Sequence, residues 1–135
     1  MVSSYKLYIV LFFFLLTNFD FASAQTKQYK SYMNVSEGSY LEPDTTFQVS
    51  KIILDLKRDR IALIVPKETL IYDILLVMEH KDDYGVYTKT FEVQGRSAQV
   101  RFRFSFIRQG KDSEATQIIF EAPTFGDIET TYYLE

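Results

Sequence analysis

The chain has 135 residues, a formal net charge of −3, one His and no Cys. Without Cys there is no disulfide framework, no thiol nucleophile, no thiolate metal site and no lipid attachment through a lipobox cysteine. The acidic balance also lacks the basic excess that gathers the phosphates of a nucleic acid.

The first element is not part of the fold. Lys6 precedes an unbroken apolar run, Leu7 to Leu16 (LYIVLFFFLL), then a break containing Asp20, then Ala22-Ser23-Ala24. That order is the charged, apolar and small-residue succession of a secretory signal peptide over residues 1–24. As a helix the run rises only about 15 Å, roughly half a bilayer core, so it is too short for an anchor. The mature protein is expected to begin at Gln25, to be exported to the periplasm or the medium, and to keep no membrane span after cleavage. Loss of Lys6 and Asp20 together leaves the net charge unchanged. A Cys-free exported domain points to a bacterial source, and on that reading the glycan acceptor pattern Asn34-Val35-Ser36 is a chance match.

Residues 25–135 suffice for a single domain with its own core. A strand is expected near Lys27 to Met33 and another over Phe47 to Leu56. Ile52, Leu54 and Leu56 then enter the charged turn Lys57-Arg58-Asp59-Arg60 and return as Ile61, Leu63 and Val65. Pairing Leu56 with Ile61 places Leu54 opposite Leu63. Pro66 to Lys81 fits two patterns: Leu70, Ile71, Ile74, Leu75 and Met78 have helical spacing, but a helix leaves Leu76 and Val77 on the solvent face. Strand is preferred, because Asp82-Asp83-Tyr84-Gly85 reads as a type I turn with a glycine bulge and needs a strand on each side, the second reaching Val93.

The clearest strand is Ala98 to Arg108. Val100, Phe102, Phe104 and Phe106 alternate with Gln99, Arg101, Arg103 and Ser105. Gln109 to Ser113 loops into Glu114 to Ala122; Arg108 opposite Glu114 pairs Phe102 with Phe120, Phe104 with Ile118 and Arg101 with Glu121. Ile128 to Leu134 is the last strand. All five Gly residues fall between the apolar runs. The expected fold is all-β: a single antiparallel up-and-down meander of seven or eight strands that closes into a small barrel, which removes the exposed edges.

The succession TFQVSKIILDLKRDRIALI, TLIYDILLVMEHKDDYGVYTKTFEV, VRFRFSFIRQGKDSEATQIIFEA and TTYYLE resembles uncharacterised small secreted β-meander proteins of Gram-negative bacteria over residues 46–135. In layout it is also similar to lipocalin-like barrels, which carry apolar ligands in a central cavity. Those begin with a Gly-x-Trp element, and this chain has no Trp, so the resemblance implies the fold and no functional residue.

The chemistry on offer is sparse. His80, the one His, is expected to pair with Tyr87 beside a charged turn, which suits an exposed residue better than a catalytic triad. Glu79, Asp82 and Asp83 do not follow the spacing of a calcium loop and read as a solvated acidic turn. Arg101 and Arg103 share a face and form a small cationic patch that suits a carboxylate or phosphate, or cross-strand pairing with Glu121. The Tyr content serves sheet packing or a contact surface, with Tyr132 and Tyr133 as the C-terminal candidates. The expectation is a non-enzymatic exported binding module with no catalytic residue, metal or cofactor. Its ligand is a small apolar molecule in the lumen or a protein partner at the surface. Alternatives are a secreted inhibitor or structural interaction protein, and a small enzyme built on carboxylates and Tyr.

Overall fold

The computed structural model describes residues 26–96, 99–124 and 126–135. The signal peptide assigned to residues 1–24, and Gln25, lie outside the described residues. Eight strands follow in order: β1 Thr26–Gly38, β2 Leu41–Asp55, β3 Arg60–Val65, β4 Glu68–Lys81, β5 Tyr87–Gly95, β6 Arg101–Arg108, β7 Ala115–Ala122 and β8 Ile128–Leu134. Each pairs antiparallel with the next, and β1 pairs with β8 to close an up-and-down barrel. At the seam Asn34 opposes Tyr132 and Ser36 opposes Thr130, whose hydroxyls are 2.8 Å apart.

Period-two alternation puts the apolar set inside. Ile52, Leu54, Ile61, Leu63, Tyr72, Phe91, Val93, Phe104, Phe106, Ile118 and Tyr132 form one buried cluster. Residues between them carry the charges: Glu92, Arg103 and Glu121 occupy one row of the outer face. Arg103 lies 3.6 Å from Glu92 and 3.8 Å from Glu121.

Two hairpins keep the predicted faces but shift register by two residues. In β2–β3, Leu54 pairs with Ile61 and Ile52 with Leu63, because the turn occupies Leu56 to Asp59 instead of residues 57–60. Asp59 takes a positive φ of 50° and its N–H donates to Leu56 O, so Leu56 is drawn out of the ladder and exposed. In β6–β7, Phe104 pairs with Phe120, Phe106 with Ile118 and Arg103 with Glu121. Glu114 belongs to the loop, and an irregularity between Ile107 and Arg108 adds the second residue of shift. A one-residue slip would have turned the phenylalanines outward; two successive slips restore the face.

Strand β6 starts at Arg101, not Ala98, which lies outside the described residues. Gln99 has a positive φ of 51°, and its N–H donates to Gly95 O while Gly95 N–H donates to Val100 O, a tight turn that uses the expected first residues of the strand. Strands β1 and β2 run further than predicted, to Gly38 and from Leu41. Their outer halves are mostly polar and carry no apolar alternation to announce them.

Residues 68–81 are strand throughout. An irregularity between Ile74 and Leu76 changes the phase: Leu70, Tyr72 and Ile74 share the lumen face, and after the bulge Val77 opposes Phe91. This phase change produces the helix-like spacing in the sequence. The β4–β5 turn is as predicted. Gly85 N–H donates to Asp82 O, Asp82 N–H donates to Val86 O, and Asp82 Oδ1 accepts from both Tyr84 N–H and Val86 N–H at 2.9 Å. Gly85 has φ 81° with open space around its missing Cβ. Gly85→Ala therefore carries only backbone strain and is expected to cost about 1 kcal/mol, read as a lower urea midpoint with unchanged slope. His80 pairs with Thr88; Lys81, not His80, opposes Tyr87.

Candidate functional site

The barrel has a bottom, where the β1–β2, β3–β4, β5–β6 and β7–β8 turns gather, and a top, where the remaining turns lie with the start of β1 and the end of β8. Between them the lumen is filled. Phe91, Phe104, Ile52, Ile61, Ile118 and Val93 have at most 1% of their surface exposed. Tyr72 meets Phe104 edge-on at 5.1 Å between centroids, and Phe120 lies 4.9 Å from Phe104. Phe106 continues the aromatic column to Phe91 at 5.3 Å and Tyr29 at 5.2 Å.

At the top the inward alternation changes chemistry. After Phe91 and Phe106, the next residues on the same faces toward the mouth are Lys89 and Arg108, with Lys27 on β1 beside Tyr29. They rim a cavity of about 140 Å³ whose floor is Leu54, Phe91 and Phe106. Lys27 pairs with Glu114 and Arg108 donates to Glu79. The Lys27 ammonium also lies 5.4 Å from the Tyr29 ring centre, and Lys89 lies 5.8 Å from that of Phe91. The Glu114 hydrogen bond, foremost, holds the Lys27 pKa above its ordinary value, and burial pushes the Tyr29 hydroxyl up. Sequence reading missed this rim. The signal was a cation continuing the Phe alternation at the ends of two neighbouring strands.

The upper half of the wall holds a second feature. Strand β3 stops pairing with β4 at Asp73, after which Ile74 N–H donates to Asp59 O in the turn. From Leu76 to Lys81, β4 forms a ladder with β5 alone among the described residues. Leu75, Leu76, Val77 and Met78 are 44–49% exposed.

The residues singled out from sequence fall in different places. Arg101 and Arg103 are on the outer wall, Arg101 opposite Gln94 and Arg103 between its two glutamates, so Arg101 does not meet Glu121 as expected. They line a shallow pocket with Pro123 and Thr124, outside the lumen. Tyr132 is buried in the barrel, whereas Tyr133 is partly exposed on the outer face opposite Gln117. His80 is exposed on β4. At the bottom, Glu37, Glu129 and Glu121 lie in one row, and burial, then the charges of Glu121 and Glu37, push the Glu129 pKa up. No protein family, curated protein or solved structure matches the chain.

Proposed function

We propose that this is a non-enzymatic exported binding domain that takes an extended segment of a protein partner along the upper edge of β4. One observation carries the reading: six residues of strand, Leu76 to Lys81, have a ladder on one side only among the described residues, and with the bulged Leu75 they open on four half-exposed apolar side chains. Natural edge strands are usually short, bulged away, or guarded by charge and Pro, because a bare edge recruits another strand. Here Glu79, His80 and Lys81 guard only the tip. Strand addition supplies main-chain hydrogen bonds for affinity, and the exposed side chains supply specificity. The signal-peptide pattern supports a partner met outside the cytoplasm. The apolar interior and charged exterior support a water-exposed barrel, since a membrane barrel has the opposite polarity.

The filled lumen weighs against carriage of a large apolar ligand, because such sites usually reach about 300 Å³ or more. The test is native mass spectrometry of mature Gln25–Glu135 purified gently from its host's exported fractions. The expected result is a complex containing another polypeptide. Leu76→Lys together with Met78→Lys is expected to weaken that complex at least about tenfold, while stability shifts by no more than about 1 kcal/mol, since both side chains are half exposed. A bare domain mass, or a complex indifferent to the double substitution, overturns the reading.

A further inference from the structure

We propose that the top of the barrel is a binding site for a small monocarboxylate carrying one benzene-sized apolar group. None of the residues that line this cavity belongs to β4, although Glu79 of that strand pairs with Arg108 at the rim. The cavity supplies both halves of such a ligand's recognition. Its floor of Leu54, Phe91 and Phe106 is apolar, and its volume of about 140 Å³ is close to the roughly 150 Å³ of an apolar protein cavity that takes benzene. Its rim holds Lys27, Lys89 and Arg108.

The charges at that rim do not cancel. Glu79 stands directly opposite Lys89 in the β4–β5 ladder, yet its carboxylate pairs with Arg108. Lys89 lies over the Phe91 ring and makes no ion pair among the described residues. Lys27 is held by Glu114, which is 76% exposed and sits in the β6–β7 loop rather than on a strand. One carboxylate from a loop already holds a rim cation, so Glu114 competes with a ligand's own carboxylate for Lys27. Tyr29 lines the cavity on the same side, and its hydroxyl supplies a further donor. Two ammonium groups and a guanidinium around one opening favour a carboxylate over a neutral ligand through charge-assisted hydrogen bonds. Below Phe91 the packed column leaves no room for a long chain, which limits the tail to a single ring or its equivalent.

The experiment is a titration of isotope-labelled mature protein with benzoate, followed by NMR at the Tyr29, Phe91 and Phe106 rings. Saturable shifts at those rings are expected with a Kd of about 1 mM, a reasonable affinity for so few atoms. Lys89→Met is expected to weaken binding about fivefold or more, through loss of one charge-assisted contact. Glu114→Gln is expected to tighten it about threefold, because the competing carboxylate is gone. A purely structural Lys27–Glu114 pair predicts no gain from that second change. Absence of saturation, shifts centred elsewhere, indifference to both substitutions, or inorganic phosphate binding as tightly as benzoate would each overturn the proposal. The phosphate result would make the rim a simple anion site with no use for its aromatic floor.

Discussion

Phe104→Ala is expected to lower the unfolding free energy by about 3–5 kcal/mol, out of the roughly 5–15 kcal/mol that holds a domain of this size folded. Phe104 has no exposed surface and sits in the middle of the aromatic column, against Tyr72 and Phe120. Its neighbours belong to barrel strands fixed by ladders on both sides at this level, so the wall cannot collapse into the gap. The lost transfer energy and the residual cavity therefore add. Phe47→Ala supplies the control. It removes the same group from a side chain that is 80% exposed on β2, and it is expected to stay within about 0.5 kcal/mol of the parent. Urea denaturation followed by circular dichroism measures both. If the two substitutions cost the same, packing of the lumen is not what stabilises this barrel, and a lumen open to a large ligand returns as a reading.

The contrast between these two phenylalanines also shows which parts of the structure the sequence disclosed. Phe102, Phe104 and Phe106 alternate with polar residues, and that pattern alone identified an inward face. The register along that face was less legible. Turn length is decided by a few backbone angles, as at Asp59 with its positive φ, and by bulges that leave no mark in the alternation. Where both faces of a strand are apolar, as at Leu75 to Met78, periodicity becomes ambiguous between helix and strand. The ambiguity had a physical source, because an edge strand with a bulge exposes both faces.

The site was legible only in part. Arg101 and Arg103 drew notice because they lie two apart in a clear strand, but that strand turns them outward to Glu92 and Glu121. Lys27, Lys89 and Arg108 are scattered along the chain, and only closure of the barrel brings their ends together. Their inward placement follows from extending each strand's alternation by one more step. That step becomes meaningful once the seam between β1 and β8 is known.

Closure also sets up the last expected result, a loss of stability at alkaline pH that two lumen tyrosines control. Burial pushes the Tyr72 hydroxyl up to about 12, with the charges of Tyr132 and Glu68 adding to it, and burial alone pushes Tyr132 up to about 12. In the unfolded chain both ionise near the ordinary value of about 10. Between those values the unfolded state has fewer bound protons than the folded one, so the unfolding free energy falls as pH rises. The contribution is fully present below pH 10 and is lost as pH climbs through 12. Screened by the solvent that still reaches both hydroxyls, the loss is on the order of 1 kcal/mol per tyrosine, a sizeable fraction of the total stability. Urea midpoints measured from pH 8 to pH 12 are expected to hold steady at first and then drop steeply above pH 10. Tyr132→Phe keeps the ring and deletes the ionisable group, and is expected to flatten that drop by about half. Equal slopes in Tyr132→Phe and the parent would mean that other groups drive alkaline unfolding and that the interior admits the tyrosinate.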